Sequence, residues 1–193
     1  MIAEKEYFQV NSEYFRARKS QCQRLIEYIS NCISLRGKKF VSLGCGVCAE
    51  LAQLAGKFDE LDAVDTDASI IDFARKLRLT NVKFHNQISN IYLDRIADNS
   101  IDLIFALDVD SNLPVMLTIE QARRKLKTGG AIVLTERESN TLIYGRMFIL
   151  PFIEEIQTKY SNDFEIKLFN RLNMQPIKED RDNIVLLLKK RYE

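Results

Sequence analysis

The sequence has no apolar stretch long enough to cross a membrane, because its longest apolar runs, such as 101–107 and 184–188, have only the length of a strand. Its first residues show no basic start followed by an apolar run, so we expect no signal peptide. Four cysteines in 193 residues do not form the pattern of a disulfide scaffold. We therefore expect a reduced, cytoplasmic protein with no membrane partner.

The sequence also lacks an excess of charge of one sign. Lys and Arg number 28, and Asp and Glu number 27, which leaves a formal net charge of +1. Such a balance provides no general field for binding a polyanion, so a nucleic-acid partner is not expected. With 46% hydrophobic and 28% charged residues, the composition is that of a folded domain and not of a disordered chain.

Short apolar runs alternate with amphipathic stretches over most of the chain. The predicted strands cover 40–43, 61–64, 82–84, 101–107 and 131–135, and the predicted helices run from about 49 to 57, 69 to 77 and 115 to 126. This alternation predicts βαβ units and a parallel sheet with helices on both faces. Two later strands, 164–169 and 183–189, are joined by a stretch without helical periodicity, which predicts an antiparallel hairpin.

The residues before the first strand have helical periodicity, with an apolar face formed by Leu25, Ile26, Ile29 and Ile33. No linker or low-complexity segment separates this part from the rest of the chain. We therefore expect an N-terminal helical cap over residues 1–36 and a single globular unit over residues 37–193.

The most informative stretch surrounds two glycines. A buried strand runs into a turn with Gly44 and Gly46, after which a helix begins. Glycines in such a turn let the backbone bend sharply and approach a ligand closely. Asp65 stands at the end of the second strand, where a carboxylate accepts hydrogen bonds from both hydroxyls of a ribose. The combination indicates a cofactor with an adenosine part. The alternative is a tight turn in which Asp65 caps the next helix, although Asp67 or Ser69 is the expected cap.

The cofactor itself has two candidates. The spacing Gly44-x-Gly46-x-x-Ala49 formally fits the dinucleotide fingerprint of NAD-binding proteins. Three features count against NAD: the chain is too short for a second, substrate domain, the C-terminal hairpin is foreign to that fold, and about 35 residues precede the first strand.

Four segments carry a family resemblance. They read Val-Ser-Leu-Gly-Cys-Gly at 41–46, Ala-Val-Asp-Thr-Asp at 63–67, Asp-Asn-Ser-Ile-Asp-Leu-Ile at 98–104, and Leu-Lys-Thr-Gly-Gly-Ala-Ile-Val-Leu at 126–134. In order and spacing they resemble the motifs of class I S-adenosylmethionine-dependent methyltransferases, over about residues 38 to 190. The resemblance implies a Rossmann-like, doubly wound seven-stranded sheet, mostly parallel with an antiparallel C-terminal strand. It also implies S-adenosylmethionine as cofactor and S-adenosylhomocysteine as product.

The same resemblance implies roles for individual residues. Gly44 and Gly46 would lie against the methionine and ribose parts of the cofactor, Asp65 would hold the ribose, and Thr66 would sit beside the adenine. Apart from the resemblance, the aromatic residues near the N-terminus could fold over the cofactor as a lid, with Tyr14 as the residue expected to touch it. The alternative is that this amphipathic helix simply packs onto the sheet. The expected cofactor-binding residues are Tyr14, Gly44, Cys45, Gly46, Asp65, Thr66, Gln87, Ile88 and Leu107.

Several positions depart from the family pattern. The family often places an Asp after the third strand to accept from the adenine amino group, and here Gln87 or Ile88 takes that place, depending on a register of one residue. Ser42 replaces a common Asp, and Cys48 replaces the usual third glycine. A redox or zinc role for the Cys45-x-x-Cys48 pair is not expected, because the remaining cysteines are not at ligand spacing.

The expected catalytic residues follow the fourth and fifth strands, where the family's acceptor approaches the donor. They are Asp108, Asp110, Glu136 and Tyr144, of which an acid could orient an amine or take a proton from a hydroxyl. For each of the two aspartates alone, a cap of the following turn or a solvated side chain is the preferred explanation. We expect no metal ion. The only histidine, His85, falls on the adenine side, so we expect a structural role for it and no histidine base.

These features together predict a methyltransferase that acts on a small-molecule acceptor by in-line displacement. Two alternatives stay open: methylation of RNA or protein, and a module that binds S-adenosylmethionine without catalysing a reaction. The apolar segment 142–153 predicts either a wall of the acceptor pocket or a homodimer surface, and the sequence does not decide between them.

Overall fold

A computed structural model describes residues 2–109, 114–136, 153–170 and 184–192. Its helices and strands, numbered along the chain, are α1 (Ile2–Ser30), β1 (Gly37–Leu43), α2 (Ala49–Leu54), β2 (Phe58–Asp65), α3 (Ala68–Lys76), β3 (Val82–Asn86), α4 (Ser89–Arg95), β4 (Ile101–Val109), α5 (Val115–Lys125), β5 (Leu126–Glu136), α6 (Ile153–Tyr160), β6 (Phe164–Asn170) and β7 (Ile184–Lys190). Within these ranges no helix is both long and apolar enough to span a bilayer.

The strands form one seven-stranded sheet with the order β3-β2-β1-β4-β5-β7-β6. The strand pairs formed among β1 to β5 are all parallel, whereas β7 is antiparallel to both β5 and β6. This topology confirms the predicted Rossmann-like sheet with its antiparallel C-terminal hairpin. The first strand, β1, lies in the middle of the sheet. The next two strands, β2 and β3, are added on one side of β1, and β4 then pairs with β1 on the other side.

Both faces of the sheet are covered by helices, which explains why its central strands are almost continuously apolar. On one face, α1, α2 and α3 pack over residues such as Phe40, and on the other α4, α5 and α6 pack over Val41 and Leu43. The face of α1 that we predicted to be apolar is buried, with Leu25 and Ile29 fully inaccessible to solvent. Helix α1 thereby joins the same core as α2 and α3.

Among the features that differ from the sequence-based expectations, three have a local reason. The helix predicted to reach about residue 57 ends at Leu54, because the chain turns at Gly56 with φ of +80°. The fifth strand begins at Leu126 and not at Ala131, since Gly130 lies so close to the carbonyl oxygens of β4 that a Cβ would stand 3.0 Å from one of them. Helix α4 was not predicted, because its seven residues are too few for a clear apolar period.

A buried polar cluster joins β1, β2 and β3 beneath α4. The Asp62 carboxylate, 1% exposed, accepts from Lys39 Nζ at 2.7 Å and from the Tyr92 hydroxyl at 2.6 Å. His85 Nε2 lies 2.9 Å from the same carboxylate, and its ring packs on that of Tyr92. Burial alone would raise the pKa of Asp62, but the hydrogen bonds from Lys39, Tyr92 and His85 hold that pKa below its usual value. His85 thus has structural partners, as we expected.

Candidate functional site

The glycine turn lies at the carboxyl edge of the sheet, between β1 and α2. At β1 the strand order reverses, because β2 pairs on one side of β1 and β4 on the other. In open α/β sheets, ligands bind in the crevice at such a reversal. The fold therefore directs attention to the residues that follow β1, β2, β3 and β4.

The backbone of the turn is held in an unusual conformation. Gly44, Gly46 and Cys48 have φ values of +64°, +49° and +59°, in the left-handed region that favours glycine. The Cys45 N–H donates to the Val64 carbonyl at 3.0 Å, which ties the turn to β2. A Cβ added to Gly46 would meet no atom within 4 Å, so open space borders the backbone at this residue.

Asp65 faces this turn from the end of β2. Its Oδ2 accepts from the Gly46 N–H at 2.9 Å, and its Oδ1 accepts from the Asp67 N–H at 3.0 Å. A carboxylate oxygen can accept two hydrogen bonds, so each oxygen keeps capacity for one more donor. The half-buried Asp65 carboxylate is thus oriented by two backbone groups and can still accept from two adjacent hydroxyls.

Asp67, and not Asp65, caps α3. Its Oδ1 accepts from the N–H groups of Ser69 at 2.9 Å and Ile70 at 3.4 Å. The hydrogen bond from the Ser69 hydroxyl holds the pKa of Asp67 below its usual value. The alternative in which Asp65 serves as the helix cap is therefore wrong.

Asn86, the last residue of β3, is a site residue that the sequence analysis missed. Its side-chain amide donates to the carbonyl oxygens of Asp65 at 3.1 Å and Thr66 at 2.9 Å. The next residue, Gln87, donates its backbone N–H to the Asp65 carbonyl at 3.0 Å. These bonds hold the end of β2 against the end of β3. No pattern in the sequence distinguishes this asparagine from a turn residue.

Gln87 and Ile88 both follow β3, as expected, but they offer different surfaces. The Gln87 side-chain oxygen accepts from an Arg95 guanidinium nitrogen at 3.2 Å, so part of its acceptor capacity is already used. Ile88 precedes α4 and is 53% exposed, which is unusual for a large apolar side chain. A flat apolar ligand could cover Ile88 while Gln87 contacts the ligand's edge.

The other predicted cofactor-binding residues differ in accessibility. Tyr14 on α1 is 46% exposed, and Thr66 is exposed after β2. Cys45 and Leu107 are buried, and Leu107 belongs to the core between the sheet and α1 to α3. The side chain of Cys45 is therefore not accessible to a ligand, and Cys45 could meet one only through its backbone.

The Cys45 thiol of the turn is not activated. All four cysteines are free, and the hydrogen bond with Cys48, together with burial, raises the pKa of the Cys45 thiol well above its usual value. A thiol in this state is a poor nucleophile and a poor metal ligand. Within the described ranges, no three His, Cys, Asp or Glu side chains are grouped so that they could hold a metal ion.

The predicted catalytic residues lie on two neighbouring strands or outside the described residues. Asp108 is the last residue but one of β4, and Glu136 is the last residue of β5. Val109, which follows Asp108, pairs with Glu136 in the β4–β5 ladder. Since these strands are parallel, both ends lie at the same edge as the glycine turn. Asp110 and Tyr144 lie outside the described residues.

The sheet order, the glycine turn and the carboxylate at the end of β2 define the fold of class I S-adenosylmethionine-dependent methyltransferases. Residues 41–134 match the family described as a methyltransferase domain. This segment therefore resembles a methyltransferase domain, and S-adenosylmethionine is the cofactor of that class. The open space beside Gly46 and the remaining acceptor capacity of Asp65 fit such a nucleoside. No curated protein sequence matches the chain.

Solved structures resemble the chain at low sequence identity. An rRNA methylase from Streptococcus thermophilus is 13% identical, with a TM-score of 0.65 over 86% of this chain and 93% of that chain. The N-methyltransferase NodS from Bradyrhizobium japonicum is 18% identical, with a TM-score of 0.61 over 92% and 96% of the two chains. A Streptococcus mutans protein in complex with SAH is 13% identical, with a TM-score of 0.57 over 80% and 89%. At these identities the likeness supports the fold alone.

Proposed function

We propose that this protein is an S-adenosylmethionine-dependent methyltransferase that acts on a small-molecule acceptor. The observation that carries the proposal is the junction of Gly46 and Asp65. There a carboxylate oriented by two backbone N–H groups borders open space next to a residue without a side chain. A ribose diol needs two adjacent acceptor positions and close backbone approach, and this junction offers both.

When bound, S-adenosylmethionine supplies a methyl group that its positively charged sulfur has already activated for displacement. The chain's own task is to bind and orient. Asp65 holds the ribose, and the backbone of Gly44 and Gly46 lies against the methionine part of the cofactor. Thr66 and Ile88 border the adenine. Alignment of donor and acceptor is the main source of rate enhancement in such an in-line transfer.

The acceptor enters at the ends of β4 and β5. The backbones of two acidic residues, Asp108 and Glu136, lie at this edge of the sheet. We propose that one of them orients the acceptor or takes its proton, together with Asp110 and Tyr144 from the segments that follow each strand. A tyrosine and carboxylates suit a small acceptor that bears an amine or a hydroxyl.

The balanced charge supports a small acceptor. With a net charge of +1, the chain provides little general attraction for a polyanion. RNA is the second candidate, favoured by the structural likeness to an rRNA methylase. Binding to rRNA or tRNA that weakens steeply with added salt would favour the RNA proposal over the small-molecule one.

Calorimetry with S-adenosylmethionine and S-adenosylhomocysteine tests the proposal. The wild type should bind both ligands, and Asp65→Ala should weaken binding by about tenfold to a hundredfold, because hydrogen bonds to a charged group contribute about 1.5–3 kcal/mol. Asp72→Ala is the matched control, since Asp72 is an exposed carboxylate on α3 whose partner is Arg75. If the wild type binds neither ligand, the proposal is wrong. If it binds both but no acceptor in a broad panel yields S-adenosylhomocysteine, the non-catalytic module is favoured instead.

A further inference from the structure

A buried carboxylate lies under the glycine turn and has no role in the proposal above. Glu50, in the first turn of α2, is 4% exposed, and its Oε1 accepts from the Ser42 hydroxyl at 2.5 Å. Ser42, on β1, is 2% exposed. The pair therefore places a buried carboxyl group at the base of the turn.

The turn consequently lies between two carboxylates from different elements. Asp65 reaches it from β2 through the Gly46 N–H, and Glu50 reaches it from α2 through the Ser42 hydroxyl at the end of β1. Cys45 reports the electrostatic effect of both. The pKa of the Cys45 thiol is raised mainly by its hydrogen bond with Cys48 and by burial, and the charges of Glu50 and Asp65 raise it further. A negative potential at the turn favours a positively charged ligand beside it.

We infer that Glu50, held by Ser42, makes this site select for positive charge, so that the sulfonium donor is bound more tightly relative to the uncharged product than the shared contacts alone would allow. The inference rests on the proposed function. Both ligands carry the same adenosine and amino-acid groups, and they differ only in the methyl group and the charge on sulfur. The charge of Glu50 therefore acts on the ratio of their affinities.

This arrangement bears on turnover. When the methyl group leaves a donor of this class, the electron pair of the broken carbon–sulfur bond would stay on sulfur, which would lose its positive charge. The acceptor would form the new bond to carbon with its own lone pair and lose its proton to solvent. The attraction between Glu50 and the cofactor weakens at that moment, which favours exchange of the product for a new donor.

The test is the ratio of dissociation constants for S-adenosylhomocysteine and S-adenosylmethionine, measured by calorimetry. Glu50→Gln keeps the shape and removes the charge, and it should lower this ratio by about threefold to tenfold, the order expected for one charge screened by protein and solvent. Glu50→Asp keeps the charge and should hold the ratio within about twofold of the wild-type value. A merely structural role of Glu50 would weaken both ligands equally and leave the ratio unchanged.

Two further variants complete the design. Asp59→Asn removes an exposed charge at the opposite end of β2 and should leave the ratio as it is. If Glu50→Gln does not fold, the double variant Ser42→Ala with Glu50→Leu replaces both members of this hydrogen bond by apolar groups and should lower the ratio in the same way. An unchanged ratio in the folded neutral variants overturns this inference alone. A wild type that binds neither ligand overturns the proposed function and this inference with it.

Discussion

Asp62→Asn should strongly destabilise the part of the sheet formed by β1, β2 and β3. Asp62 is 1% exposed and receives hydrogen bonds from Lys39 at 2.7 Å and Tyr92 at 2.6 Å, with His85 at 2.9 Å. Removing one partner of a buried ion pair costs about 3–5 kcal/mol. Lys39 keeps Glu60 at 3.8 Å and its side chain is 16% exposed, so we expect the lower end of this range, about 3 kcal/mol.

Urea unfolding followed by circular dichroism measures this loss as a difference in the free energy of unfolding. Asp72→Asn is the control, because Asp72 is an exposed carboxylate in a surface ion pair with Arg75 and should change stability by less than about 0.5 kcal/mol. A loss below about 1 kcal/mol for Asp62→Asn would refute the reasoning that this cluster holds β1, β2 and β3 together.

The same variant has a pH signature. The pKa of Asp62 is lowered in the folded protein by its hydrogen bonds, against the effect of burial. A carboxyl with a lowered pKa contributes stability that is complete above its unfolded pKa of about 3.9 and is lost as the pH falls through the folded value. Since asparagine does not titrate, the stability gap between wild type and Asp62→Asn should narrow as the pH falls below about 4.

Two further predictions concern cofactor binding. Gly46→Ala and Gly56→Ala both introduce a side chain at positive φ in open space, so each should cost about 1 kcal/mol of stability, but only Gly46→Ala should weaken S-adenosylhomocysteine, by about tenfold or more. Equal affinities in the two variants would contradict the placement of the cofactor beside Gly46. Arg95→Ala frees the Gln87 side-chain oxygen to accept from the adenine amino group. It should therefore raise the preference for S-adenosylhomocysteine over its 6-oxo analogue, which lacks that amino group, by about twofold to tenfold. Arg75→Ala, on α3, is the control, and an unchanged preference in Arg95→Ala would show that Gln87 does not contact the adenine amino group.

Much of the fold was predictable because its signals are local. The alternation of apolar runs with amphipathic stretches reflects strands buried on both faces, and the pattern predicted the β strands to within a few residues, apart from the early start of β5. Helix α4 was missed because it is a single short segment that becomes stable only against α5 and the sheet, through contacts such as the hydrogen bond from Asn90 to Gln121.

The candidate site was predictable in part. The positions of Gly44, Gly46 and Asp65 at strand ends follow from local sequence, and the likeness to a known family added their roles. The partners of Glu50 and Gln87 could not be predicted in this way, because Ser42 and Arg95 lie eight residues away from them in sequence, beyond a turn or along a helix. Roles for Asp108, Asp110, Glu136 and Tyr144 stay predictions.

The amino-acid order alone determined where strands, turns and the residues without side chains would fall, because these depend on periodicity and on which residues tolerate a given backbone conformation. Only the tertiary structure decided which polar groups meet. The pairing of Asp65 with Gly46, of Ser42 with Glu50, and of Asp62 with Lys39, Tyr92 and His85 depends on the order and register of the strands. Hydrogen bonds and charges act over a few ångströms in space, and the distance between two residues along the chain does not reveal that separation.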